Sequence, residues 1–295
     1  MYMNINRIKG KEMEKTSCPT CGPKANKQLI YMHDFGVGFY KCLNCNIEYA
    51  SPRLVEKELL SLYEGDDWKK ISDYDNWTYE EWKETKGLRF HLIQQNIKLI
   101  KKFIKPGASI LDVGCDIGLT LKSLEKNNYY SEGVEVSSIG AQIAKDKIGV
   151  KVSNMELKDY SSNIKFDGVL LLDVLEHLYK PVTVLTQCAS HMNPGGHIIV
   201  HVPHHNGISA RFKRLLHKIG VKKGYKHFGF PAHIYGFDKK SLKAILAKSG
   251  FEALHYESWP SELTNGKVNI FNYIFVQIIK KFALSDYIIC VAQKK

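Results

Sequence analysis

The sequence predicts an α/β protein of the doubly wound kind with a small cysteine-bearing module at its N-terminus. Three observations carry this. Four cysteines fall as two C-x2-C pairs, Cys18/Cys21 and Cys42/Cys45, with 20 residues between the pairs. An apolar run, Ser109 to Val113, ends in a glycine-bearing turn, Gly114 to Gly118, that opens a helical stretch. Strand-like apolar runs and helical runs then follow one another to the end of the chain.

The chain has 295 residues, 44% of them hydrophobic and 24% charged, which suits a packed protein and excludes a disordered one. Such a length accommodates one large α/β domain plus something small. The net charge of +12 favours an anionic partner: nucleic acid, a phosphorylated small molecule or an acidic membrane face. The apolar run Val268 to Ile279 is cut by Lys280 and Lys281 and is too short to span a bilayer. Met1 to Ser17 is polar and lysine-rich, unlike a secretory signal, so a cytoplasmic location is expected.

Residues 1–50 read as a zinc ribbon. In a reducing compartment, two C-x2-C turns are a metal site, not two disulfides. Cys18, Cys21, Cys42 and Cys45 together complete a tetrahedron and leave no open position, so the zinc is structural. Gly22 and Asn46 follow the two turns, where a positive φ lets amide N–H groups point at sulfur. Strand-like stretches, Gln28 to Met32 and Phe35 to Tyr40, lie between the turns. Cys115, Cys188 and Cys290 stand alone in apolar contexts, as core residues do. Residues 51–87 form a charged, aromatic connecting segment with a helical start, Leu54 to Tyr63. Its rings, Trp68, Tyr74, Trp77, Tyr79 and Trp82 among them, pack on both domains or cover a cofactor pocket.

The main domain spans 88–295. Leu88, Leu92, Ile93, Ile97, Ile100 and Ile104 form one helical stripe that ends before Pro106-Gly107. The strand from Ser109 then enters the glycine turn, and ligands in such folds sit at the carboxyl ends of the strands. Glu135, 17 positions past Gly118 at the end of the next strand, suits the two hydroxyls of a ribose. A dinucleotide would press its pyrophosphate on the position held by Asp116, where like charge repels it. S-adenosylmethionine carries adenosine without phosphate and a cationic sulfur, which Asp112 and Asp116 favour. Further on, Ser138 to Ile148 is helical, Pro181 opens a helix, and Asp238 caps another that Gly250 ends. Phe251 to Glu257 and Tyr287 to Ala292 read as the last strands.

Ile110-Leu111-Asp112-Val113-Gly114-Cys115-Asp116-Ile117-Gly118 resembles the first motif of class I S-adenosylmethionine-dependent methyltransferases. Gly133 to Ser137 resembles their second motif, Phe166 to Leu178 their fourth-strand segment, and Asn193 to Val200 the turn into their fifth strand. The resemblance implies a seven-stranded Rossmann-like sheet with an antiparallel final hairpin. It also implies that Asp112, Gly114, Cys115, Asp116 and Gly118 meet the methionine part of the cofactor. By the same likeness Glu135 holds the ribose, and Leu172 and Asp173 lie beside the sulfonium. Asp116 stands where the family usually has glycine, and Val152-Ser153-Asn154-Met155-Glu156 lacks the common aspartate. The adenine contact therefore stays open among Asn154, Met155 and Glu156. Asp173, Glu176 and His177 match a divalent-metal pattern of ubiquinone-pathway O-methyltransferases. The ribbon, with Tyr40 to Cys45 and Ser51-Pro52-Arg53, resembles the module fused to some bacterial sugar and polysaccharide methyltransferases.

Oxygen methylation needs a base near neutrality, and the candidates are His177, then His204, then His233. His201, His204 and His205 lie at and past the end of the fifth strand. His233 lies in a Pro-x-His-x-Tyr stretch resembling one common in this methyltransferase group. The insertion 206–237 holds no acidic residue but carries Arg211, Lys213, Arg214, Lys218, Lys222, Lys223 and Lys226. His205, Arg211, Arg214 and Tyr235 are the expected acceptor contacts, for an anionic sugar or nucleotide sugar. The chain ends after its last strand, without the further domain of sugar C-methyltransferases, which favours O-methylation. The competing readings are a methyltransferase for RNA or a quinol-type lipid, and a cofactor-binding module without catalysis. Nucleic acid is disfavoured, because no Asn/Asp-Pro-Pro-Tyr signature follows the fourth strand. Oligomeric state is not legible.

Overall fold

The computed structural model describes residues 10–33, 36–63, 87–220, 230–259 and 285–295. Trp68, Tyr74, Trp77, Tyr79 and Trp82, the lysines at 222, 223 and 226, and the apolar run 268–279 lie outside them. Strands β1 (Met13–Glu14) to β5 (Arg53–Leu54) belong to the N-terminal module, with β2 at Lys27–Met32, β3 at Gly38–Cys42 and β4 at Glu48–Ser51. Helix α1 (Glu56–Tyr63) follows, and α2 (Gly87–Phe103) leads into the main sheet.

The main sheet contains β6 (Ser109–Val113), β7 (Tyr130–Glu135), β8 (Val152–Asn154), β9 (Phe166–Leu172), β10 (Met192–Pro203), β12 (Phe251–Trp259) and β13 (Tyr287–Lys294). Its order is β12-β13-β10-β9-β6-β7-β8, and β13 runs antiparallel to both of its neighbours. The seven strands with an antiparallel hairpin are those the sequence predicts. Intervening helices are α3 (Leu119–Glu125), α4 (Ser138–Ile143), α5 (Pro181–His191), α6 (Ile208–Lys218) and α7 (Lys239–Lys248). The helix expected over 138–148 widens midway into a π turn, Ala144–Ile148.

Alternation along the strands sends side chains to two layers. Ile110, Leu170, Ile199, Ile289 and Val291 pack with Ile93, Ile97, Ile100 and Ile104 on one face. Leu111, Val169, Leu171, Val200, Ile288 and Cys290 pack with Leu185, Cys188, Leu242, Ile245 and Leu246 on the other. Truncating one such fully buried isoleucine to alanine costs about 2–5 kcal/mol.

The N-terminal module is stitched into this domain. Short strand β11 (Tyr235–Gly236), from the insertion before α7, pairs antiparallel with β4, so the ribbon sheet runs β11-β4-β3-β2. Cys18, Cys42, Cys45, Ile47 and Tyr49 share one core cluster with Phe237, Leu242 and the main sheet. Arg53 crosses the seam: Nη1 donates to Tyr235 Oη at 2.9 Å and Nε to Glu14 at 2.8 Å. Its guanidinium lies 4.1 Å from the Tyr179 ring centroid.

Candidate functional site

The turn after β6 folds as it does because three of its backbone positions are left-handed: Gly114 (φ 74°), Asp116 (φ 52°) and Gly118 (φ 80°). Aspartate tolerates that region better than most residues, which accounts for Asp116 standing where glycine is usual. A Cβ on Gly114 would sit 2.5 Å from Val174 Cγ2, so the turn lies directly against the segment after β9. Glu135, at the end of β7, is buried and ties the turn down. Its Oε2 accepts from the Asp116 amide at 2.8 Å, and its Oε1 from the Ser137 amide at 2.7 Å. Burial raises its pKa, while the Ser137 and Asp116 amides pull the other way.

Asn154 Nδ2 donates to the Glu135 carbonyl at 2.8 Å and the Val136 carbonyl at 3.1 Å, so it braces the β7–β8 edge. Val136 and Met155 are exposed large apolar side chains there. A buried carboxylate beside exposed apolar side chains fits a ribose next to an adenine ring. Asp112 and Cys115 are buried beneath the turn, and burial raises the Cys115 thiol pKa well above its usual value.

A second group lies where β9 and β10 end. His201 pairs with Leu172 across the two strands, which brings its ring to Asp173. Nδ1 of His201 lies 2.8 Å from Asp173 Oδ1, with His201 buried and Asp173 54% exposed. The imidazole stacks on Tyr287 at 4.9 Å between centroids, and its buried Nε2 has no hydrogen-bond partner among the described residues. Sequence reasoning placed His201 on this edge but did not single it out; the parallel register is the signal that does.

One turn further, Glu176 is 1% exposed, and neither carboxylate oxygen has a hydrogen bond among the described residues. Burial, and then the Asp173 charge, raises its pKa well above the usual range. His177 Nδ1 donates to the Ala232 carbonyl at 2.9 Å, leaving Nε2 4.0 Å from Glu176 Oε1. Desolvation, with His233 adding to it, pushes the His177 pKa down to about 3. The His233 ring stands edge-on to His177, 4.6 Å between centroids. Ligand atoms of Glu176, His177 and His233 all lie within 4.8 Å of one another. A buried carboxylate with no hydrogen bond among the described residues, beside two histidines of which one is oriented through its far nitrogen, fits a divalent cation. The expected set was Asp173, Glu176 and His177; His233 takes the place of Asp173, whose carboxylate turns to His201.

The four N-terminal cysteines converge as the spacing predicts, with their sulfurs within 4.8 Å of one another. Cys18 and Cys45 sulfurs are 3.5 Å apart, and the Cys21 amide donates to Cys18 Sγ at 3.3 Å. Zinc–sulfur bonds of about 2.3 Å give tetrahedral edges of about 3.8 Å, so the set fits zinc. Gly22 (φ 79°) and Asn46 (φ 70°) hold the left-handed positions expected of them. Burial, reinforced by Cys45 and Cys42, raises the Cys21 thiol to about 11.

The expected acceptor contacts are mostly internal. His205 and Arg214 both meet buried Glu48 of the ribbon, Nε2 at 3.3 Å and Nη1 at 3.2 Å from Oε1. Arg214 Nη2 also donates to the His205 carbonyl at 2.7 Å. Tyr235 is buried against Arg53. These three tie α6 and β11 to the ribbon because Glu48 and Arg53 supply complementary charge and hydrogen bonds; Arg211 alone is exposed. His204 is likewise buried, its Nδ1 donating to the Ser285 carbonyl at 3.1 Å, and it is not part of the Glu176 group.

Comparison with known proteins places these features in context. Residues 86–256, more than half of the chain, match the profile of a family described as "Methyltransferase domain". A ubiquinone biosynthesis O-methyltransferase of Vibrio vulnificus is 26% identical over 182 residues, 57% of this chain and 76% of that protein. One from Alkalilimnicola ehrlichii is 32% identical over 101 residues, which span 32% of this chain and only 40% of that relative. The solved structure of Burkholderia thailandensis 1,6-didemethyltoxoflavin-N1-methyltransferase, bound to S-adenosylhomocysteine, superposes with a TM-score of 0.55 at 14% identity. That superposition covers 91% of this chain and 99% of the other, and shows a common fold.

Proposed function

The chain belongs to the methyltransferase-domain family and is an S-adenosylmethionine-dependent methyltransferase; from that premise we propose that it methylates a hydroxyl oxygen, with a quinol-type ring as the acceptor class. The observation that carries the oxygen-directed reading is the acid–base group where β9 and β10 end: Asp173 held by His201, beside Glu176, His177 and His233. The names of the curated relatives support the quinol class, and none of those reported above acts by its name on a sugar.

When bound, S-adenosylmethionine supplies a methyl group on a cationic sulfur. The Gly114–Gly118 turn would receive its methionine part and Glu135 its ribose hydroxyls, with Asn154 and Met155 at the adenine end. Leu172 and Asp173 line the junction with the acceptor. Glu176, His177 and His233 would hold a divalent cation that polarises an acceptor oxygen. Transfer would form the oxygen–carbon bond as the methyl carbon–sulfur bond breaks and the neutral thioether leaves; Asp173 would take the hydroxyl proton, its carboxylate fixed in place by the His201 Nδ1–H. Positioning supplies much of the acceleration, and such a base on the order of 10²–10⁴-fold.

The test is turnover of the purified protein with labelled cofactor against catechols and quinols, nucleotide sugars and RNA, with and without added divalent ions. Methylation of a catechol or quinol is expected, reduced at least about 100-fold in Asp173→Asn while cofactor affinity is kept. Turnover of nucleotide sugars alone would overturn the acceptor class. An Asp173→Asn variant as fast as the parent would overturn the base.

A further inference from the structure

Helix α6, Ile208–Lys218, lies on the protein the wrong way round for an ordinary surface helix. Its polar side faces inward: Arg214 reaches Glu48 and the His205 carbonyl, and His217 stands edge-on to Tyr31 of the ribbon at 5.1 Å. Its apolar side faces out. Ile208 is 41% exposed, Phe212 59%, Leu215 55% and, at the C-terminal cap, Ile219 62%. At 3.6 residues per turn these four fall within an arc of about 60°. An amphipathic surface helix normally buries that stripe.

Charge identifies what covers it. Arg211 is exposed beside the stripe, about 40° round the helix from its edge, and Lys213 is exposed about 100° beyond the other edge. No acidic residue occurs from Asn206 to Phe237, and the whole chain carries +12. An apolar stripe beside an exposed arginine, on a basic segment without carboxylates, is complementary to an anionic bilayer surface, where the stripe enters the acyl boundary and the exposed cations meet headgroup phosphates. The helix starts five residues past the end of β10, on the same edge as Asp173 and His201. We propose that α6 docks the protein on an anionic lipid surface, through Ile208, Phe212, Leu215 and Ile219 with Arg211 and Lys213. The inference rests on the outward apolar face and does not depend on the acceptor's identity.

Sedimentation of the full-length protein with vesicles tests it. Vesicles of phosphatidylcholine and phosphatidylglycerol in equal amounts should bind the protein, and phosphatidylcholine alone should bind it weakly. Phe212→Ser with Leu215→Ser should lower partitioning at least about tenfold. Arg211→Gln with Lys213→Gln should lower it too and blunt its salt dependence. Both variants should keep the parent's melting temperature, because these side chains face solvent. A third variant, Phe212→Trp, should show added fluorescence that shifts to the blue with the anionic vesicles. Failure of the parent to sediment, serine variants that bind like the parent, or an unshifted tryptophan would overturn the proposal. So would a dimer that the serine variants convert to monomer, since that assigns the face to a second copy.

Discussion

Glu135 holds the Gly114–Gly118 turn through two amide N–H groups, so in the proposed role its carboxylate would brace the turn and bind the ribose together. In Glu135→Gln one side-chain atom becomes a donor facing an amide donor, which costs about 1–3 kcal/mol in a buried place. Cofactor affinity should fall at least about tenfold and the melting temperature should drop. Calorimetry showing parental affinity would remove Glu135 from the cofactor site. Gly114 tests the other side of the turn. Alanine there adds about 1–2 kcal/mol of left-handed strain and overlaps Val174. Val174→Ala should therefore recover part of the loss in a double-mutant cycle, and strict additivity would refute the contact. His204 and His205 supply a pH dependence. Burial lowers both pKa values in the folded protein, His205 despite the opposing pull of Glu48. The unfolded chain takes up protons near pH 6.5 more readily than these buried rings do, so stability is lost as pH falls through that range. Each contributes up to about 1.4 kcal/mol per pH unit. Thermal melts between about pH 7.5 and about 5.5 should show this slope, and His204→Gln should reduce it.

Elements show which parts of the molecule were legible before folding was known. Helix α7 starts where its residues say it must: Asp238 Oδ1 accepts the Ser241 amide at 2.8 Å, and Ser241 Oγ accepts the Asp238 amide at 2.8 Å. Asp238→Ala should cost about 1 kcal/mol or more, read from urea unfolding, and an unchanged midpoint would contradict the cap. Caps, glycine turns and the cysteine knuckles are local, so residue types at fixed spacing reveal them. The β9 segment was legible for the same reason, up to His177. Its partner was not, because His233 arrives with a strap whose Ala232 carbonyl lies 55 residues beyond the His177 ring it receives. Arg214 and His205 read as acceptor contacts for a related reason. A basic residue near a sheet edge looks free until its partner is known, and Glu48 lies 166 residues from Arg214. The outward face of α6 is a third case: residue types along a helix do not say which side meets the protein.

At the scale of the molecule, the ribbon and the edge that carries the proposed site are mechanically joined. Strand β4 pairs with Tyr235 and Gly236, and the Ala50 amide donates to the Ile234 carbonyl at 3.3 Å. The same strap carries Ala232 and His233, and the Ile234 amide donates to the Glu176 carbonyl at 3.0 Å. Zinc in the four-cysteine site would hold the two knuckles together, and its binding energy would be folding energy for the ribbon. Loss of that metal should loosen β4, then the strap, then the His177–His233 pair, while the Gly114 turn and Glu135 stand on the far side of β9 and keep their geometry. A Cys42→Ser variant, assayed with divalent ions in excess so that the Glu176 group is not starved, should therefore lose methyl transfer at least about tenfold. Its cofactor affinity should stay within about threefold of the parent's. Equal loss of both would mean that the ribbon supports the whole sheet. No loss of either would mean that the strap keeps its place without the zinc, and the coupling through β11 would be wrong.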